Sequence, residues 1–217
     1  MKNIVFLGAP GSGKGTQAKI LSEKLGIKIL SIGDRLRHEI SIDSEVGKAA
    51  NEYVSKGALV PDEVVDKIVS ESLKDSQFAK GFILDGYPRN FAQAQSLEKT
   101  LVENNQKISA VINIDVPDDA IIKRLSGRYA CASCGELYNK FFKPTKIDGI
   151  CDVCQSEEFV TRKDDNEDTI KERLKIYHKL SQDLIDFYTK NNLIISVSGL
   201  DDTSRVSSRI YELVSSK

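Results

Sequence analysis

Gly8-Ala9-Pro10-Gly11-Ser12-Gly13-Lys14-Gly15-Thr16 follows directly on the apolar run Ile4-Val5-Phe6-Leu7. A buried strand runs into a glycine-rich turn, and Lys14 stands where a helix should begin. In such a turn backbone N–H groups converge on phosphate oxygens, while the lysine reaches the terminal phosphates. The stretch reads as a nucleoside triphosphate site, with Gly11, Ser12, Gly13, Lys14, Gly15 and Thr16 around the phosphates. The general pattern asks for Ser or Thr immediately after the lysine. Here that place holds Gly15, and the hydroxyl arrives one step later on Thr16.

Further apolar runs have the same character of buried parallel strands: Ile27–Leu30, Phe82–Leu84, Val111–Ile114 and Leu193–Val197. Helical periodicity lies between them. One helix follows Lys14 and stops at Gly26, others cover Phe91–Val102 and Asp118–Leu125, and the longest runs from Asn166 to Tyr188. The expected fold is α/β, a five-stranded parallel P-loop sheet with helices on both faces and ligands at the strand C-termini. Two segments break the rhythm. Residues 31–60 hold short helical patterns, and residues 127–163 carry all four cysteines. The core is then expected over 1–30, 61–126 and 164–217.

The chain has 217 residues, 40% of them apolar and 29% charged, with a formal net charge of −1. That balance offers no basic field for nucleic acid and no polybasic tract for anionic lipid. No apolar stretch is long enough to span a membrane or to form a signal-peptide core, so the expected compartment is the cytoplasm. In a reducing compartment, the pairs Cys131/Cys134 and Cys151/Cys154, with 16 residues between them, argue for metal rather than disulfides. Four thiolates suit a closed tetrahedral structural Zn²⁺; Fe²⁺ is an alternative occupant of the same soft site. A redox dithiol needs only one pair. A nucleic-acid zinc ribbon fits poorly with Asp148, Asp152, Glu157 and Glu158 in the same segment.

A second element accompanies the glycine loop: Gly81-Phe82-Ile83-Leu84-Asp85-Gly86-Tyr87-Pro88-Arg89. An apolar strand ends in a carboxylate, the usual place for an acid that orients Mg²⁺ and its waters. Together with Gly33-Asp34 and Arg162-Lys163-Asp164-Asp165, these motifs resemble the adenylate kinase family, in its long bacterial form with a zinc-binding lid. The similarity covers essentially the whole chain, and Gly15 is itself a mark of nucleoside monophosphate kinases. The resemblance implies a Mg²⁺-dependent, reversible transfer from ATP to AMP giving two ADP, by a monomer. It makes 31–60 the monophosphate-binding insertion and 127–163 the lid. A UMP/CMP-type kinase and a nucleotide-gated ATPase switch are the alternatives.

Bringing two polyanions together is costly: at ~4 Å and an effective dielectric of ~20, two unit charges repel by about 4 kcal/mol. Planar guanidinium suits the compensating role because it donates along two parallel bonds. By resemblance, Arg37 and Arg89 hold the AMP phosphate, Arg128, Arg162 and Arg173 gather at the transferring group, and Arg124 stacks on the ATP adenine. Arg35 and Arg37 point about 200° apart on a helix, so only one can face a ligand. Asp34 and Asp85 would hold the waters around Mg²⁺. Leu59-Val60-Pro61-Asp62, Gly86 and Gln93 match family positions around AMP, and Arg162 and Arg173 also reach it. Where the family has Ser-Thr-Gly-Asp, this chain reads Ser31-Ile32-Gly33-Asp34. Ile32 removes a hydroxyl near the acceptor, which weakens AMP binding, relaxes base choice, or only repacks the wall. His38 and His178 read as isolated surface residues, and no covalent nucleophile stands out.

Overall fold

In the computed structural model, residues 2–162 and 164–216 are described. Met1, Lys163 and Lys217, which fall within the expected segments above, lie outside them.

The strands are β1 (Lys2–Leu7), β2 (Lys28–Ser31), β3 (Gly81–Asp85), β4 (Ala110–Asp115) and β8 (Ile194–Ser198), arranged β2-β3-β1-β4-β8 with every pairing parallel. Each expected run falls on one of them, displaced by a residue or two at the ends. Side-chain alternation explains why β1 is apolar without a break. Val5 and Leu7 enter one core with Leu30, Leu84 and Val111, while Ile4 and Phe6 enter another with Ile83 and Ile112. Both faces of the sheet are covered, so neither parity can be polar.

Helices α4 (Asp62–Ser72) and α5 (Phe91–Glu103) cover the first face through Val65, Val69, Leu97 and Leu101. Helices α1 (Lys14–Leu25), α6 (Asp118–Ser126) and α8 (Thr203–Ser215) cover the second through Ala18, Leu21, Ile121, Leu125, Val206 and Ile210. The long α7 (Glu167–Lys190) serves both: Ile170 and Leu174 join the second core, Leu184 and Tyr188 the first. Among the described residues, no helix is long and apolar enough to cross a membrane.

The segment after β2 forms α2 (Ile32–Ser41) and α3 (Glu45–Val54), capped by the Ser31 and Ser44 side chains. The cysteine segment is a three-stranded antiparallel sheet ordered β6-β5-β7, from β5 (Arg128–Cys131), β6 (Leu137–Asn139) and β7 (Phe159–Val160). Its own core is small: Cys131, Tyr138 and Cys151, with Tyr129 and Phe159 packed against them.

The parallel register sets the site. Phe6 pairs with Asp85 and Ser31 with Asp85, so the glycine loop, the Asp85 turn and the start of α2 leave the same edge of the sheet.

Candidate active site

Gly13 is the N-cap of α1 with φ 101°, a left-handed conformation that glycine adopts without penalty, and no side chain caps the helix there. The uncapped N–H groups of the first turn therefore remain available to an anion. Lys14, Gly15 and Thr16 line a cleft of about 1000 Å³ together with Gly11, Ser12 and Gly13. The Ser12 hydroxyl is buried without a hydrogen-bond partner, a further donor facing inward. Lys14 Nζ donates to the carbonyls of Gly8 and Ala9 at 2.7 and 2.8 Å. Burial pulls its pKa down to about 8 against the opposing pull of Asp85.

Gly15 has a steric explanation. A Cβ there would stand 3.2 Å from Asp85 Oδ2, tighter than most real contacts. A Ser or Thr after the lysine would require the Asp85 carboxylate to give way by a few tenths of an ångström.

All six predicted arginines line this one cleft: Arg37, Arg89, Arg124, Arg128, Arg162 and Arg173. Arg35 instead pairs with Glu39 along α2. Arg128 is held by two bonds to Asp165 at 2.6 and 2.7 Å, and Arg173 by Asp164 at 2.7 Å. Arg162 reaches Asp34 at 3.9 Å, and Arg37 is bonded to the same carboxylate. Arg89 Nε donates to the Gly86 carbonyl at 2.8 Å. Arg124 donates to the Ser12 and Gly199 carbonyls. Burial and then the neighbouring Arg173 lower the Arg89 pKa to about 10, so it stays charged at neutral pH. Burial raises the Asp85 pKa, though Lys14 opposes that rise. Burial also works against the Asp34 charge, but Arg37 outweighs it and the pKa ends below the ordinary range. The cleft is thus a concentration of fixed cations with a few acids to orient them, a host for a polyanion.

A much smaller cavity is lined by Ile32, Leu36, Leu59, Val60, Val65, Arg89 and Gln93. Leu36, Leu59, Val60 and Arg89 border the large cleft as well, as does Gly86. Ile32 is 1% exposed and packs in the core with Leu36, Val60 and Val65, so its side chain is both wall and filler. Gln93 is also 1% exposed, each end of its amide held by one bond: Oε1 accepts from the Arg89 N–H and Nε2 donates to Asp62, each at 2.7 Å.

The four cysteine sulfurs lie within 4.8 Å of one another, with Cys131 to Cys154 and Cys134 to Cys151 at 3.5 Å. A tetrahedral Zn²⁺ with ~2.3 Å Zn–S bonds would set its thiolates about 3.8 Å apart, so the donor set fits that ion. The Tyr138 hydroxyl accepts from the Asp152 N–H at 2.7 Å and stands 3.4 Å from Cys151 Sγ, its proton free to point at the sulfur. This is the outer-shell support that metal ligands receive.

One expectation is corrected. His178 is exposed but not isolated: its Nε2 lies 2.9 Å from both Asp118 oxygens, linking α7 to the start of α6. The sequence motif Arg162–Asp165 had carried only its arginine into the expected site, yet Asp164 and Asp165 are the groups that orient Arg173 and Arg128. Their adjacency to Arg162 was the available signal. Asn90 and Tyr87, which tie Gln93 and α4 together, left none.

An adenylate kinase family profile matches residues 6–193. The adenylate kinase of Thermodesulfovibrio yellowstonii is 47% identical over 99% of both chains. Those of Caldicellulosiruptor saccharolyticus and Archaeoglobus fulgidus are 44% and 48% identical, covering 96% and 94% of this chain and 97% and 94% of their own.

Proposed function

The chain belongs to the adenylate kinase family, and from that premise we propose how its cleft moves a phosphoryl group from ATP to AMP. As a nucleoside monophosphate kinase it is a phosphotransferase. The observation that carries the residue-level reading is the convergence of Lys14 and six arginines on one cleft that opens beside the Gln93 cavity.

ATP would lie with its phosphates over the α1 N-terminus, cradled by Gly11–Thr16 and Lys14, its adenine on the guanidinium face of Arg124. The two backbone bonds that Arg124 makes hold its guanidinium at the cleft wall. AMP would sit between Leu59, Val60 and Gln93, its phosphate on Arg37 and Arg89. Arg128, Arg162 and Arg173 then surround the transferring group. Because Arg128 and Arg173 are already bonded to Asp165 and Asp164, and Arg162 has Asp34 at 3.9 Å, little reorganisation is needed as charge shifts from leaving to attacking oxygen. Direct in-line transfer needs no protein nucleophile, only positioning and neutralisation.

Mg²⁺ would accompany ATP as part of the substrate and supply charge neutralisation. Asp85 and Asp34 offer the hard oxygen donors that would hold its waters. Residues 127–163 act as a lid, which brings Arg128 and Arg162 to ATP and excludes water as a competing acceptor. Cys131, Cys134, Cys151 and Cys154 would hold Zn²⁺ as a structural crosslink within that lid. Residues 31–60 act as the monophosphate-binding insertion. We infer a cytoplasmic monomer, from the near-neutral charge and the family's habit.

Initial rates with MgATP and AMP, CMP, UMP or GMP test the acceptor. AMP is expected to exceed the pyrimidine nucleotides by orders of magnitude, and γ-label should appear in ADP. A pyrimidine preference, or label released only as phosphate, would overturn the assignment.

A further inference from the structure

Gln93 is an amide that cannot turn around. A glutamine amide carries an acceptor oxygen and a donor nitrogen, and only its surroundings decide which end points where. Here both ends meet partners of fixed character. The Arg89 N–H can only donate and takes Oε1; the Asp62 carboxylate can only accept and takes Nε2, each at 2.7 Å. Asp62 is itself held: Asn90 Nδ2 donates to both its oxygens at 2.9 and 3.1 Å, and Asn90 Oδ1 caps α5 by accepting from the Gln93 N–H. The Tyr87 hydroxyl braces the same corner, 2.7 Å from Asp66 and 3.1 Å from the Gln93 carbonyl.

Each end of the amide keeps one free valence, a lone pair on Oε1 and a second hydrogen on Nε2. A 6-aminopurine offers the matching edge, an amino donor next to the N1 acceptor. A 6-oxopurine offers the reverse, an oxygen acceptor next to an N1–H donor. Pairing with it would require the amide to flip, setting Oε1 against the Asp62 carboxylate and Nε2 against the Arg89 N–H. Both contacts would be repulsive around a side chain that is 1% exposed.

We propose that Asp62 is a specificity-determining positioning residue: by accepting from Gln93 Nε2 it locks the amide to read 6-aminopurine and reject 6-oxopurine monophosphates. This rests on the reading of Gln93 as the group that faces the acceptor base. Discrimination built on buried hydrogen-bonding groups is steep, because a mismatched base leaves them unpaired.

The test compares kcat/KM for AMP and IMP in the native chain, Asp62→Asn and Gln93→Leu. Asparagine is isosteric but can donate as well as accept, so it removes the Asp62 half of the lock and leaves only the Arg89 N–H opposing the flipped amide. Asp62→Asn is expected to lower the AMP:IMP ratio about tenfold or more, through a gain with IMP and a raised KM for AMP. The KM for ATP, which binds at the other side of the cleft, should stay within about twofold. Asp62→Ser, which also donates and accepts, serves if Asp62→Asn folds poorly, and thermal unfolding is followed for all variants. A ratio unchanged in both Asp62 variants while Gln93→Leu collapses it overturns the role of Asp62 alone. A ratio unchanged in Gln93→Leu overturns the reading of Gln93 and the proposal with it.

Discussion

Glu136 accepts a hydrogen bond from Lys19 of α1 at 3.0 Å and another from Lys143 at 2.6 Å. Lys19 stands five residues beyond Lys14 on the same helix, so the cysteine subdomain is tethered to the helix that begins at the phosphate loop. The Lys19 side chain is 64% exposed, and a pair this wet contributes about 0.2–1 kcal/mol. Lys19→Ala is expected to raise the KM for ATP about twofold to fivefold at low ionic strength, with the difference fading in high salt. A shift that salt leaves untouched would assign the effect to packing instead.

Lys14 should govern the alkaline limb of activity. Its pKa is drawn down to about 8 by burial, and the charged form is the one that meets phosphate. The kcat/KM for ATP, which reports free-enzyme ionisations, should hold below pH 8 and fall as pH rises through it. Stability moves the other way. A lysine whose folded pKa lies below its unfolded value leaves the unfolded chain binding more protons, so stability rises from about pH 8 to 10.5. Lys14→Met is expected to cut kcat about 100-fold or more while leaving the melting temperature equal or higher. Near-normal turnover would remove Lys14 from the chemistry.

Restoring the common hydroxyl beside the lysine should harm this chain. Because a Cβ at Gly15 would press on Asp85 Oδ2, Gly15→Ser is expected to lower kcat/KM for ATP about tenfold, with unfolding little changed. The loss should shrink in Gly15→Ala, which adds the Cβ without the oxygen. Equal activity in all three would mean that Asp85 can move aside freely.

Metal removal should act locally. The cysteine subdomain has a core of only Cys131, Tyr138 and Cys151 with two flanking rings, too little to fold a sheet alone. Chelation, or Cys151→Ser, is expected to lower the melting temperature by at least about 5 °C. Amides of β5–β7 should then exchange rapidly while those of β1, β3 and β4 stay protected. Unaltered exchange in metal-free protein would show that hydrogen bonds such as Tyr138 to Asp152 suffice.

The sheet could be read from the sequence because strands buried on both faces leave unbroken apolar runs ending in glycine or a carboxylate. The helices α4 and α8 carry their apolar residues just as regularly, but no glycine loop or motif drew attention to them. The small sheet was hidden for a different reason: strands of two to four residues are too short to show alternation, and cysteine spacing speaks of ligands rather than strands. The phosphate loop, Asp85 and the arginines were legible as residue types, whereas their partners were not. Arg173 and Lys171 look alike on α7, yet they point about 200° apart. Arg173 turns into the cleft towards Asp164, and Lys171 pairs with Glu167 on the surface. Contacts between distant elements, such as Asp62 with Gln93, exist only once the chain has folded.

The pairing of Phe6 and Ser31 with Asp85 has a consequence for how such an enzyme can change. Donor loop, acid and acceptor helix spring from neighbouring strands, so their separation is a multiple of the ~4.8 Å strand spacing. That gauge belongs to the backbone, and no surface substitution can stretch it. Residues hung beyond the sheet, such as Ile32 or Asp62, are free to vary the guest without disturbing the distance over which the phosphoryl group must travel.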